Sequence, residues 1–441
     1  MPETAKSPVI YQAPKPKNGV SSLAKSVSSS LETESPRTKA DTAALRDIVI
    51  IGAGPAGLSL ALSLRGTGLS VTVLEKQTSE AIRAPQFDGR EIALSHRSIE
   101  LLQSMGAWSR IPSQDRAPLL SAKVINGRSD KCLHFNGEAV GADRLGFLVP
   151  NHAIRQALFD EHVENGEAEI ITDAEVTDIR TASPHSSVTL KDGRHLKTKL
   201  LIAADTRFSQ ARRAAGISAS MHDFGKTMIV SRVKCEKPHN HIAWECFVPG
   251  GAIAVLPLNN DEASIVMTFT PEEAKRHLDM DLETYSSKAA HRLAGRFGAL
   301  TPLSDRHSYP LVGVYSNAFV SPGFALVGDA AVGMHPVTAH GFNLGVQGQN
   351  LLAQEIHKAV KKGASPASSE VLTAYQRKHR ALSAPLYWST MALAELYAQE
   401  GFAANLARKA IFDAGRLLPP ARNMIMNRLT QGANSSTLSA H

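Results

Sequence analysis

Apolar residues in this chain form short solid runs near both ends and alternating runs between them. Residues 48–51 (Ile-Val-Ile-Ile) and 71–74 (Val-Thr-Val-Leu) are solid, the pattern of strands buried on both faces. Between them residues 58–64 predict a helix, ended by Gly66 and Gly68. Together they make a β-α-β unit. Ile99, Leu101, Leu102 and Met105 predict a helix over about 95–105, and another opens at Asn151. Short strands with polar turns fill 119–149, and more are expected at 170–171, 176–179, 188–190 and 200–203. From 228 the pattern becomes alternating: 228–233, 242–248, 252–258 and 263–270 predict a separate antiparallel sheet. Helices follow at about 271–278 and 282–297. A last solid run ends in Gly328-Asp329 and leads into a helix over about 341–360. Two more helices are expected over 385–418, with Trp388, Met391, Leu396, Tyr397, Phe402 and Leu406 apolar, before the Pro419-Pro420 break. There is no internal repeat.

This order predicts an α/β fold with an α+β substrate part. A Rossmann-like dinucleotide-binding domain would occupy 46–220 and 300–384, with substrate-domain strands interleaved in 80–150. The antiparallel-sheet substrate domain would span 221–299, C-terminal helices 385–432, and tails 1–45 and 433–441. A chain of 441 residues exceeds what one core usually serves. Residues 1–45, rich in Ser, Lys and Pro, predict a disordered tail. They lack the apolar segment of a secretory signal, and Glu3, Glu32, Glu34 and Asp41 argue against a mitochondrial transit peptide. A cytoplasmic address is expected, with a mitochondrial one as the alternative.

Composition excludes several classes. The chain is 43% hydrophobic and 20% charged, and nowhere approaches the ~18 consecutive apolar residues of a membrane span. Cys132, Cys235 and Cys246 are too few for a disulfide framework and lack metal-ligand spacing. The net charge of +7 sits at the ends: residues 1–46 hold seven Lys/Arg against four Asp/Glu, and residues 361–441 hold ten against four. No nucleic-acid module accompanies these charges, so a nucleic-acid partner is not expected. A basic, partly apolar C-terminus fits an anionic membrane surface, or an ordinary solvated helix face.

The chemistry begins at Gly52-Ala53-Gly54-Pro55-Ala56-Gly57, a Gly-x-Gly-x-x-Gly turn inside a complete β-α-β unit. Gly52 permits the tight turn, Gly54 lets the backbone approach a pyrophosphate, and Gly57 lets helix and strand pack closely. The pyrophosphate would sit on the helix N-terminus. Glu75, next to Lys76 at the end of the second strand, can accept from a ribose diol. Arg90 precedes a helix, where it could reach a cofactor or pair with an acid. Asp205 and Asp329 each end a buried strand. His335 and His340 lack the carboxylates of a metal site, so no metal is expected and loop histidines beside a cofactor are the simpler account.

These pieces, in this order, resemble the class A flavoprotein monooxygenases of the para-hydroxybenzoate hydroxylase type, over about residues 46–432. The closer similarity is to the FAD-dependent hydroxylases of ubiquinone biosynthesis. It is carried by Asp88-x-Arg90-x-x-Ala-Leu-Ser95, by Phe247-Val-Pro-Gly-Gly-Ala-Ile-Ala-Val-Leu-Pro257 and by His335-Pro336-Val-x-x-x-Gly341-x-Asn343-x-Gly345. The Ala339-His340-Gly341 spelling looks most like the UbiM type, the 5-demethoxyubiquinol 5-hydroxylases.

The resemblance implies FAD. Its pyrophosphate would lie on Gly52–Gly57, its adenosine ribose on Glu75, and its ribityl chain on Asp329. Arg90, Arg155 and the Asp205 segment match cofactor-contacting positions, and Gly341, Asn343 and Leu344 would meet the pyrimidine end of the flavin through backbone groups. His335, Pro336 and His340 would border the substrate. The resemblance further implies O2, NAD(P)H as electron donor, and a polyprenyl phenol or quinol hydroxylated through a flavin hydroperoxide. A ubiquinone-synthesis complex and peripheral contact with the inner membrane are also implied. Three departures stand out: Thr206 for the family's Gly after Asp205, Ala339-His340 for Gly-Gln, and Gly348 for Asp. The first leaves the electron donor open. No general base is named by the sequence. A lipid-reducing FAD enzyme and a non-catalytic flavin-binding subunit remain as alternatives.

Overall fold

The computed structural model describes residues 45–126, 132–136, 143–248 and 251–398, together with the backbone of 10 and 11. Two large sheets organise them. The first is built on the parallel strands Glu169–Ile171, Val71–Leu74, Arg46–Ile51 and His195–Ala203, in that spatial order. Phe324–Leu326 pairs parallel with the far end of His195–Ala203. Ser186–Leu190 and Val176–Arg180 extend the sheet antiparallel. Ile48, Val49, Ile50, Leu200, Leu201 and Ile202 are fully buried, so both faces of the sheet are covered. Each such side chain contributes about 1.5–3 kcal/mol relative to exposure. The helices Pro55–Ser63, Asn151–Asn165 and Gly341–Lys361 share that core.

The second sheet runs Val332–Gly333, His307–Ser316, Ala219–Cys235, Glu262–Phe269, Gly251–Pro257, Ile242–Val248, Ser121–Asn126 and Cys132–Asn136. One face packs on the helices Pro271–Leu278 and Leu282–Arg292. The sheet is mixed rather than purely antiparallel, since Ile242–Val248 pairs parallel with Ser121–Asn126. It also reaches beyond 221–299. Its strand His307–Ser316 lies in the stretch expected to belong to the first domain, where His307, Ser308, Pro310 and Gly313 obscure the apolar pattern. A three-stranded sheet of Glu91–Leu94, Gly146–Pro150 and Ala117–Leu119 lies between the two.

The C-terminal expectation is corrected. One helix runs unbroken from Ser369 to Ala398 through Pro385, so no boundary falls at 384/385. Pro385 removes one backbone donor from the helix without ending it. The rest of the predicted helix pair lies outside the described residues. Within the expected N-terminal tail, Ile10–Tyr11 instead pairs antiparallel with Glu169–Ile171 at the sheet edge.

Candidate cofactor and substrate site

The glycine loop is built by close packing on one side and left open on the other. Gly52 has φ +107°, and a Cβ there would lie 2.7 Å from the Ala204 carbonyl oxygen. A Cβ on Gly57 would lie 1.9 Å from the Gly52 carbonyl oxygen. Around Gly54 a Cβ would meet nothing within 4 Å. The fold itself therefore demands glycine at 52 and 57, whereas 54 is small only toward an open space. The helix Pro55–Ser63 starts there with no side-chain cap and no acid in its first turn. Its first N–H groups are unpaired donors suited to an anion.

Glu75 is only 9% exposed. Its Oε2 accepts from the Ala53 N–H at 2.8 Å and its Oε1 from the Gln77 N–H at 2.9 Å. It braces the loop and keeps spare lone pairs for a diol. Lys76 is exposed. Arg155 lies beside this strand end, donating to Gln77 Oε1 at 3.1 Å. Burial holds its pKa below the ordinary arginine value, and the structure shows no carboxylate paired with it among the described residues. Arg90 pairs with Asp88 at 2.6 Å and lies over the Tyr309 ring at 5.4 Å. Asn151 Nδ2 and the Tyr309 hydroxyl hold the same Asp88, at 2.8 and 2.6 Å. Arg90 is thus ion-paired already, one of the two roles its position allows.

Asp205 lies beside the start of the short helix Gln210–Ala214, which Ser209 caps; its Oδ2 accepts from the Gln210 N–H at 3.1 Å, and burial raises its pKa. Asp329 is not stranded at a buried strand end as its sequence context suggests. Its carboxylate is 39% exposed and meets Arg207 Nη2 at 3.0 Å. Arg207 also donates to the Val312 carbonyl at 2.9 Å. Arg212, 2% exposed, donates to the carbonyls of Ala330 at 2.9 Å and Arg207 at 3.1 Å. The two strand-end loops are thereby tied together by two arginines that sequence reasoning missed. Both follow Asp205 closely, and that spacing is the signal that was available. Gly328, at φ +60°, brings its loop against Ala56, whose Cβ would be 2.7 Å from a Cβ at 328.

The segment 335–345 completes the site. His335 caps the short turn Pro336–Thr338, its Nδ1 accepting from the Val337 N–H at 3.2 Å. Burial, with Arg207 nearby, lowers its pKa to about 4, so it is neutral at physiological pH. Pro336 is exposed and His340 is buried. Ala339 sits in the left-handed region at φ 53°, an uncommon conformation for a side-chain-bearing residue. The helix Gly341–Lys361 has no side-chain cap and no acid in its first turn. Asn343 Oδ1 accepts from the Ser95 N–H at 2.9 Å, and its Nδ2 donates to the carbonyls of Ala93 at 2.8 Å and Ala339 at 3.0 Å. The Leu344 N–H is spent on His340 O at 2.8 Å, and its side chain is buried. That removes Leu344 as a first-turn donor and leaves the N–H groups of Gly341, Phe342 and Asn343. Gly348 makes room for His379, whose Cε1 would be 2.6 Å from a Cβ at 348. Among the described residues no His, Cys, Asp and Glu cluster could hold a metal.

The sequence profile of the FAD binding domain family matches residues 46–387. Ubiquinone hydroxylase UbiM of Neisseria meningitidis is 42% identical over 388 residues, covering 87% of this chain and 84% of its own. Ubiquinone hydroxylase UbiL of Rhodospirillum rubrum is 31% identical, covering 86% and 88%. This chain belongs to the FAD-dependent hydroxylase family of ubiquinone biosynthesis. The fold is also that of p-nitrophenol 4-monooxygenase PnpA from Pseudomonas putida, with a TM-score of 0.70 at 20% identity, over 88% of this chain and 99% of that one. The residues present fit the family's FAD: a loop open at Gly54 only, an arginine with one neutral partner beside it, and a second uncapped helix start.

Proposed function

We propose that this chain is an FAD-dependent monooxygenase that places one oxygen atom from O2 on the ring of a polyprenyl phenol or quinol in ubiquinone biosynthesis. The observation that carries this reading is the uncapped start of the helix Gly341–Lys361, tied through Asn343 to the small sheet that adjoins the large mixed one. A relative named ubiquinone hydroxylase, 42% identical, supports it. FAD, when bound, supplies the oxygen chemistry. The chain's residues bind and orient. The loop 52–57 with the first N–H groups of its helix would hold the pyrophosphate, with Arg155 as a cation beside it. Glu75 would take the ribose diol and Asp329 a ribityl hydroxyl. The N–H groups of Gly341, Phe342 and Asn343 would stabilise negative charge at the pyrimidine end of the ring system. Arg90, already paired with Asp88, would act by shaping this wall. His335, as a neutral group, and His340 would border the ring substrate. The apolar sheet face would exclude water.

NAD(P)H is the reductant in this proposal, docking transiently near the exposed Thr206. The substrate's polyprenyl tail places the work at a membrane surface. No helix among the described residues is long and apolar enough to cross a bilayer. Trp388 is 54% exposed on the last described helix, and the basic residues Arg408, Lys409, Arg416, Arg422 and Arg428, which fall outside the described residues, follow it in sequence. An aromatic anchor with a basic patch is the two-signal pattern of peripheral binding. The test is turnover of a short-tailed demethoxyubiquinol analogue with NADH or NADPH. A product heavier by one oxygen is expected; a product heavier by two hydrogens would favour a reductase.

A further inference from the structure

The strand Ile242–Val248 divides its side chains between two environments. Trp244 and Cys246 turn to the helix-covered face, where Cys246 is 1% exposed among Ile253, Val255, Ile265 and Met267. Glu245 therefore points to the other face. Across the ladder it lies between Val124 and Ala254, with Val266 and Val230 next in the same row. One carboxylate thus stands in a row of aliphatic residues.

That face is the one turned to the first domain. Arg232, on the same face, pairs with Glu91 at 2.7 Å. Ala243, two residues before Glu245, packs on the small core of Ala117, Leu119, Leu148 and Leu258, as does Ala93. Ala93 is the residue whose carbonyl takes a hydrogen bond from Asn343 at the start of the helix Gly341–Lys361. Glu245 is partly buried and makes no hydrogen bond or ion pair with any described residue. The charged and titratable groups on the elements around it have other partners or another face. Arg232 is held by Glu91, Tyr309 by Asp88, His307 meets Phe87 edge to face, His96 meets the Arg144 carbonyl, and Lys123 and Arg296 lie over Trp244. Burial alone pushes the Glu245 carboxyl up to about 7. A purely structural position in this row would be apolar or would supply a partner.

We propose that Glu245 is the proton acceptor for the ring hydroxyl of the substrate, a phenol or quinol seated between this sheet face and the start of the helix Gly341–Lys361. The inference rests on the hydroxylase reading above. The ring O–H bond breaks, its electron pair stays on oxygen, and the proton forms an O–H bond on Glu245. The ring, now carrying a phenolate, is the stronger nucleophile toward the incoming oxygen atom. The proton leaves to solvent before the next turnover. A base titrating near the working pH is matched to such a transfer.

The experiment uses the full-length FAD-loaded protein and the short-tailed demethoxyubiquinol analogue. Flavin content, kcat, KM and product formed per O2 are measured from pH 5.5 to 9.5 for the wild type, Glu245→Gln and Glu245→Asp. The wild-type kcat should rise about tenfold per pH unit below about 7 and level above it. Glu245→Gln should keep its flavin and KM, and lose about 100-fold or more in kcat near pH 7. Its rate should keep rising above pH 8, and an analogue with a more acidic, fluorinated ring hydroxyl should recover most of the loss. Glu245→Asp should restore part of the rate with a shifted profile, and decides the matter if the Gln variant does not fold. A Gln variant with wild-type kcat and profile overturns the proposal. So does a loss that neither pH nor the acidic analogue relieves. A wild type that forms no hydroxylated product sinks the hydroxylase reading together with this inference, and does so before any variant is made.

Discussion

Gly54→Ala separates a glycine needed by a ligand from one needed by the fold. Its φ of −72° and ψ of 179° are open to any residue, and the added Cβ meets nothing within 4 Å. The cap exchange and the lower entropy of the unfolded chain oppose each other, so stability without cofactor should change by less than about 1 kcal/mol. The methyl would occupy the space where the pyrophosphate approaches the backbone. Losing one charge-assisted hydrogen bond there corresponds to about 1.5–3 kcal/mol, or roughly 10- to 150-fold in FAD affinity. The control is Gly57→Ala, whose Cβ would lie 1.9 Å from the Gly52 carbonyl oxygen and cannot fit without moving backbone. It should destabilise the protein by more than about 3 kcal/mol, with or without FAD. The assay is flavin titration by fluorescence quenching, paired with thermal unfolding of cofactor-free protein. Wild-type FAD affinity in Gly54→Ala would refute the placement of the pyrophosphate on this loop. Equal destabilisation by both substitutions would show that packing alone explains the motif.

Ala339 holds φ 53° where glycine would be relaxed, so Ala339→Gly should gain ~0.5–1 kcal/mol, read as a small rise in melting temperature. Asp329→Asn should weaken FAD by at least ~1.5 kcal/mol while leaving stability within about 1 kcal/mol, because its pair with Arg207 is partly solvated; flavin titration and urea unfolding check the two halves. The Glu245 carboxyl lies near 7 in the fold against an ordinary 4.5, which destabilises the ionised fold by about 3 kcal/mol. That penalty is absent below pH 4.5, grows as pH rises to about 7, and is complete above it. Glu245→Gln should therefore be the more stable protein at pH 8 and match the wild type at pH 4.5, as urea unfolding at the two values would show.

The nucleotide-binding half was legible because its signals are local. Ile48 to Ile51 run directly into the glycines, and both the strand and the turn need those residue types whatever lies elsewhere. The strand 242–248 was legible for the same reason. The strand His307–Ser316 was not, since Pro310 and Gly313 are strand-poor residues that this sheet tolerates through pairing with Ala219–Cys235. The first half of Ala219–Cys235 is polar and largely exposed, so only its partners reveal it. The unbroken helix Ser369–Ala398 hides behind Pro385, which sequence rules treat as a boundary. In the candidate site, the glycines and acids were singled out by motif. The ties of Arg207 to Asp329 and of Asn343 to Ala93 join residues more than one hundred positions apart, which periodicity does not register. Glu245 was visible as a letter inside an apolar strand, but its meaning needed the register that shows which face it takes. Gly348 looked like a lost carboxylate, and the structure gives its space to His379.

The most direct test of the hydroxylase assignment is isotopic. The FAD-loaded protein is supplied with NADPH, a demethoxyubiquinol analogue and 18O2, and the ring product is weighed while oxygen uptake is recorded. One 18O atom per product molecule, with close to one product per O2 consumed, is the result expected. Oxygen released wholly as hydrogen peroxide, or a product whose new oxygen comes from water, would contradict it.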